Sequence, residues 1–344
     1  MKIVNYPYKG KGKAGYLEKM DQYDPRFLMQ LYHDVFRIRL IEEVIADRYS
    51  QDEMKSPIHL AIGQEAVSVG TCAALKKSDS VFCGHRTHGV YFGKGGDLKA
   101  MLAELHCRID GCCASRGGSM HLIDKSVGMD GSSAIVAGII PIATGAALAA
   151  QMTNIDRVTA VYIGDAAVEE GACWESLNFA KLKNLPIIYV CENNYYSVCS
   201  PLEFRQHPDV PIFQKAKGFG LESHSIDGNN ILDVFETMRN AVASVRAGKG
   251  PVFIEAHTYR YRGHHGPKED SDPGYRTHDE FLEWKQVDPL HLFEAALMEK
   301  GILSVAQKEQ MAEKINLEIE EAFEFALASP FPQESDLMTH VYSE

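Results

Sequence analysis

Apolar positions along the chain recur at two periods, and the switching between them outlines a fold. From Asp24 to about Asp52, Leu28, Leu31, Val35, Ile38 and Ile41 recur every three or four residues, which predicts an amphipathic helix. A second short helix is expected from Glu65 to Leu75. The run from Val158 to Ile163 is rich in β-branched residues and stops at Gly164-Asp165, as a strand would. A helix is predicted next, from about Ala172 to Lys183, with Cys173, Leu177 and Ala180 on one face. A second strand, Ile187 to Cys191, then ends at Glu192-Asn193-Asn194. Strand, crossover helix and strand form a βαβ unit, which implies parallel pairing. The unit repeats: Ile231, Val234, Phe235, Met238, Ala241, Val242 and Val245 keep helical spacing, Gly248 and Gly250 stop the helix, and Val252 to Ile254 begins another strand. The tail from Asp288 to Ala328 reads as helical, with Glu and Lys on its polar face. The predicted class is α/β, a parallel β-sheet flanked by helices.

Two stretches depart from this pattern. Residues 1–24 are rich in Lys, Gly and Tyr without periodicity and read as an N-terminal arm, leaving 25–344 as one domain with a helical C-terminal tail. The arm holds a formal G-x-G-x-x-G, from Gly10 to Gly15, but Pro7 precedes it and no apolar period follows, so it reads as chance. Between Asp130 and Asp156 no residue is charged. Gly131, Gly138, Pro141 and Gly145 interrupt that stretch and alanine dominates it, which favours a loop and a buried helix, about Pro141 to Met152, over a membrane span. Its small residues suit close packing, and a second subunit is a candidate for the other side.

Composition narrows the function. The 344 residues carry a formal net charge of −12, without a Lys/Arg-rich run, which argues against nucleic acid and anionic membranes as partners. Eight cysteines are scattered with no C-x-x-C pair, unlike a zinc ligand set, and read as reduced core residues. The first twenty residues lack an apolar signal core, so the expected location is cytoplasmic.

In a parallel sheet, ligands sit beyond the carboxyl ends of the strands. The two strands of the first βαβ unit end in Gly164-Asp165 and Asn193-Asn194, and these ends should lie side by side. The Asp165 carboxylate, the Asn194 amide oxygen and a backbone carbonyl in the turn after it are hard oxygen donors, suited to Mg²⁺ with phosphate oxygens completing its shell. Singly, each residue is as well explained by a helix cap or a turn. Together, at matching strand ends, they favour a magnesium–diphosphate site.

With these residues in place the chain resembles the alpha subunit of the decarboxylating component of thiamine diphosphate-dependent 2-oxo acid dehydrogenases, of the pyruvate, branched-chain and acetoin types. The resemblance runs in order from about residue 25 to Val341. It is carried by Gly63-Gln64-Glu65-Ala66, His85-Arg86-Thr87-His88-Gly89, Gly117-Gly118-Ser119-Met120-His121, Gly164-Asp165 through Gly171, Cys191-Glu192-Asn193-Asn194, and Tyr259-Arg260-Tyr261-Arg262-Gly263-His264. It implies the diphosphate-binding half of the thiamine diphosphate fold. It also implies that Asp165, Asn194 and the Tyr196 carbonyl hold Mg²⁺, and that Arg86 binds the diphosphate. By the same resemblance Ala134 and Val136 line the cofactor, and Gly164, Ala166 and Ala167 lie beside the diphosphate. His85 falls in the same site, and His59, His88 and His264 are expected to face the substrate as proton-handling groups. The implied reaction is decarboxylation of a 2-oxo acid, the cofactor storing the resulting carbanion and the acyl group passing to a lipoyl carrier on an acyltransferase. The implied assembly is an α2β2 tetramer with a beta subunit.

The chain departs from the family pattern near the expected site. Ala166 replaces the glycine usual after Gly-Asp, and a Gly-Ile-Val-Gly turn has become Ala134-Ile135-Val136-Ala137, whose backbone must be ordinary or slightly strained. His265 stands where regulated relatives carry a phosphorylatable serine, and His85 where tyrosine is frequent. These changes point to an altered substrate or acceptor. Two alternatives follow: a carboligase passing the acyl carbanion to a carbonyl acceptor, and a non-catalytic subunit that binds only a partner. A histidine-bound zinc site is disfavoured by the lack of close ligand pairs beyond His85/His88 and His264/His265.

Overall fold

The computed structural model describes residues 11–269, 274–339 and 341–342. Its centre is a six-stranded, wholly parallel sheet. In chain order the strands are β1 (Ser80–Cys83), β2 (Met129–Ser132), β3 (Thr159–Gly164), β4 (Ile187–Asn193), the short hairpin pair β5 (Tyr196–Ser197) and β6 (Ser200–Pro201), β7 (Glu222–Asp227) and β8 (Val252–His257). The sheet order is β2-β1-β3-β4-β8-β7, with β5 and β6 apart.

Alternation along the central strands splits the core in two. Ile187, Tyr189 and Cys191 of β4 join Val161, Ile163 and Phe253 on one face, under the Ile139–Met152 and Gly171–Lys183 helices. Ile188 and Val190 join Ala160, Tyr162 and Ile254 on the other, under the Glu65–Cys72 and Ile231–Arg246 helices. Buried on both faces, these strands read as continuous apolar runs, which is why they were visible in the sequence. The Pro25–Arg48 helix begins where expected because the Asp24 side chain accepts from the Arg26 amide and Pro25 opens the first turn.

Four expectations are corrected or refined. Residues 12–20 of the expected arm form a helix, Gly12–Met20, which buries Tyr16 and Met20; the Tyr16 hydroxyl donates to the Asn229 carbonyl at 2.8 Å. The helical tail is two helices, Pro289–Glu299 and Val305–Ala328, the second started by a reciprocal Ser304/Gln307 cap. The Ile139–Met152 helix buries Ala143, Ala147 and Ala150 but exposes Ile142 and Met152, so within this chain it is covered on one side only. No described helix is long and apolar enough to cross a membrane. Of the cysteines, Cys72, Cys83, Cys173 and Cys191 are core residues, whereas Cys107, Cys112 and Cys113 are half-buried and Cys199 is exposed.

Beneath the sheet a buried ion triad ties three helices together. Arg39 bonds Glu65 through Nη2 at 3.0 Å and Asp288 through Nη1 at 3.0 Å, and all three side chains are buried. Asp288 also caps the Pro289–Glu299 helix, accepting from the Leu290 amide at 3.0 Å. Arg39→Ala leaves Glu65 buried without a cation and Asp288 with only Lys285, at 3.8 Å, and should cost about 3–5 kcal/mol. Denaturant unfolding of the full chain measures this, and an unchanged midpoint contradicts the triad's role.

Candidate active site

Four neighbouring strand ends build one cavity of about 230 Å³. From β2 the chain runs into Ala134 and Val136; from β1 into His85 and Arg86; from β3 into Gly164, Asp165, Ala166 and Ala167; and from β4 into Asn194 and Tyr196. Gly164 lies directly opposite Glu192 in the β3–β4 register, so the two strands stop together. Two loops close the cavity. The Gly266 amide donates to the Ile58 carbonyl and the Tyr261 amide to the Ile62 carbonyl, each at 2.9 Å, and this pairing brings His59 and His264 to the same wall. The ring centroids of His59, His85 and His264 are 5.1–5.2 Å apart.

One sequence candidate is absent from the wall. His88 is wholly buried: its Nδ1 meets the Glu42 carboxylate, and its Nε2 lies 2.8 Å from the Ser119 hydroxyl. With both ring nitrogens engaged it cannot face a substrate. It acts at one remove, because the same Ser119 oxygen accepts the His59 amide at 3.0 Å. Sequence reading also missed several wall residues, namely Gln64, Met120, Tyr162 and Glu192. It missed Arg205 as well, whose guanidinium pairs with both Asp165 and Glu169. Gln64 lies within a quoted motif; Arg205 lies in none and reaches Asp165 only through the turn after β6.

The charges of the cavity are desolvated and separated. Asp165 is 1% exposed, and burial raises its pKa against the opposing pull of Arg205. Across the wall, burial and the neighbouring Arg260 push Arg86 down to about 9. Its guanidinium meets only the carbonyls of Leu60 and His264, and among the described residues no carboxylate pairs with it. Glu192 is pushed up to about 7 by burial, partly offset by Arg86. Asn194 gives Nδ2 to Gln64 at 3.4 Å and accepts the Tyr196 amide at 3.2 Å, closing the turn that carries Tyr196. Tyr195 and Val198 in that turn, at φ 67° and 52°, are held in the left-handed region. Ala137 is there too, at φ 59°, so the alanine-rich turn is strained at that one residue, while Ala166 is not among the positive-φ positions.

This donor chemistry fits a magnesium–diphosphate group. Asp165 and Asn194 bring hard oxygens to one end, with the Arg205 guanidinium standing as cation against Asp165, and Arg86 presents a half-buried cation without an anionic partner among the described residues.

Residues 33–335 match the model of the dehydrogenase E1 component family. The chain belongs to that family. It is 36% identical over 322 residues to the alpha-3 subunit of a chloroplastic pyruvate dehydrogenase E1 component of Arabidopsis thaliana, covering 92% of this chain and 74% of the relative. It is 34% identical over 313 residues to the alpha subunit of an acetoin:2,6-dichlorophenolindophenol oxidoreductase of Bacillus subtilis, covering 91% and 92%. A pyruvate dehydrogenase E1 alpha subunit of Zymomonas mobilis is 35% identical over 321 residues, covering 92% and 89%. The resemblance to the alpha subunits of thiamine diphosphate-dependent 2-oxo acid dehydrogenases is thereby borne out.

The histidines of this dehydrogenase E1 chain yield a pH prediction. Burial, reinforced by Arg86, lowers His59 from 6.5 to about 3 and His85 from 6.5 to about 2. Both stay neutral in the folded chain, so as pH falls below 6.5 the unfolded chain takes up protons that the folded one refuses, and stability drops. His59→Gln should flatten this loss by up to ~1.4 kcal/mol per pH unit. Denaturant unfolding between about pH 4 and 6 reads the slope, and an unchanged slope contradicts the assignment.

Proposed function

We propose that this chain is the alpha subunit of a thiamine diphosphate- and Mg²⁺-dependent enzyme that oxidatively decarboxylates a pyruvate-like 2-oxo acid and passes the acyl group to a lipoyl carrier. The carrying observation is one cavity lined both by the buried Asp165 and Asn194 and by the Arg86 guanidinium, which pairs with no carboxylate among the described residues. Asp165, Asn194 and the Tyr196 carbonyl would hold the metal, and Arg86 the diphosphate. Gly164, Ala166 and Ala167 would flank the phosphates, with Ala134 and Val136 against the rings. When bound, thiamine diphosphate supplies a carbon that adds to the 2-oxo acid carbonyl and takes up the electrons left as carbon dioxide departs.

The chain's own part is electrostatic and steric. His264 would hold or move a proton near the substrate, and the neutral imidazoles of His59 and His85 stand beside it without adding a further cation to Arg86. Met120, Ile135 and Val136 give the same wall an apolar lining. A beta subunit, in an α2β2 tetramer, is part of this reading. The exposed apolar row of Ile135, Val136, Ile142, Met152 and Ile155, continuous with the cavity wall, is the face that supports it. A cytoplasmic location also belongs to it, supported by cysteines that are all free. The likeness to an acetoin oxidoreductase subunit favours one second reading, in which the acyl carbanion is exchanged with a carbonyl compound and not with a lipoyl group.

The test is a panel of 2-oxo acids with the chain co-expressed with its beta partner, thiamine diphosphate, Mg²⁺ and an artificial electron acceptor. Acid-dependent acceptor reduction is expected; cofactor binding without reduction with any acid would transfer the reading to the carbonyl-acceptor reaction. In the same assay His264→Ala should keep cofactor binding and lower turnover about 100-fold. Unchanged turnover removes His264 from proton handling.

A further inference from the structure

Outside the cavity, one cluster of reactive groups has no place in the proposed reaction. Cys112 and Cys113 are neighbours in the chain, half-buried, with their sulfurs 4.0 Å apart. They sit in a loop wrapped around one buried carboxylate: Glu104 accepts the amides of Cys113 at 2.9 Å, Ser115 at 3.0 Å, Gly117 at 2.7 Å and Gly118 at 3.1 Å. Ala114 and Ser115 are left-handed, at φ 50° and 67°, so the loop holds a shape set by that carboxylate. Glu104, Cys112 and Cys113 place their ligand atoms within 4.8 Å of one another. Glu104 already accepts four amide hydrogens, two on each oxygen, so it is a poor metal ligand, and the two thiols remain as the reactive pair.

We propose that Cys112 and Cys113 form a modification site, a vicinal dithiol that a peroxide closes reversibly to a disulfide and so loosens the loop bearing Met120. The step balances: two S–H bonds and the peroxide O–O bond break, one S–S bond forms, and both peroxide oxygens leave as water. Its geometry favours reversal. Adjacent Cα atoms are ~3.8 Å apart, short of the usual disulfide span, so the closed ring is strained and readily reduced by a thiol. Hydrogen bonding from the Cys112 thiol lowers the Cys113 pKa, while the same bond and burial raise that of Cys112, so Cys113 attacks the peroxide oxygen to give a sulfenic acid, with one water leaving, and Cys112 then attacks that sulfur and expels the second water.

The coupling to the cavity is short. Cys113 donates to the His121 carbonyl at 3.1 Å and accepts the Ile123 amide at 3.2 Å. Moving its sulfur toward Cys112 removes the first contact and strains the second. Between Cys113 and His121 lie Ser119, which holds His59 and His88, and Met120 in the cavity wall.

Trypsin releases both cysteines in one peptide, residues 109–116, with no other cysteine. After hydrogen peroxide treatment of the assembled enzyme this peptide should lose the mass of two hydrogens and regain it with dithiothreitol, and Cys112→Ser should abolish the change. Amide hydrogen exchange at Gly117, Gly118 and Ile123 should quicken in the oxidised protein, a readout independent of the proposed reaction. Two alkylatable thiols after treatment, a disulfide to any other cysteine, or unchanged exchange in the closed form each overturn the proposal.

Discussion

A wholly parallel sheet delivers every strand's carboxyl end to one edge, and this single constraint creates the site. β2, β1, β3 and β4 are neighbours, so residues far apart in the chain, Ala134, Arg86, Asp165 and Asn194, arrive around one cavity. Backbone register does the positioning, since Gly164 stands opposite Glu192 and Cys83 opposite Tyr162. The strands themselves are held by two apolar layers, one on each face. Chemistry at the edge therefore depends on packing that never touches it.

That edge carries charges which folding alone leaves poorly matched. Asp165 is countered by Arg205 from the turn after β6, and Arg86 rests on carbonyls. Both are desolvated, which makes an incoming polyanion with its own cation a good electrostatic complement. Three of the nine non-glycine residues with left-handed φ among the described residues, Ala137, Tyr195 and Val198, lie in the two turns that flank the wall. Strain of this kind persists where surrounding structure over-determines it, and it is concentrated at sites that bind.

The central strands were legible in the sequence because β3 and β4 are buried on both faces and read as apolar runs with polar punctuation. β1 and β2 were not. Ser80–Cys83 is short, and Met129–Ser132 contains Asp130 and Gly131, so neither shows a strand period. Arg86 and Ala134 were therefore placed by family resemblance and not by pattern. The edge strand β7, Glu222–Asp227, is polar at every position but Ile226 and hid for the same reason. His88 illustrates the opposite error: its residue type and its motif suit catalysis, but Glu42, on a distant helix, claims its ring. Arg205 had no signal of its own, because its role depends on a turn that only the fold brings to Asp165.

The most direct measurement is calorimetric titration of thiamine diphosphate into the assembled enzyme, with and without Mg²⁺, for the natural chain and for Asp165→Ala. The account predicts binding that requires Mg²⁺ in the natural protein and is lost in the variant, with the fold retained by circular dichroism. Magnesium-dependent binding that survives unchanged in Asp165→Ala would contradict the assignment of the strand-end oxygens as the metal's ligands.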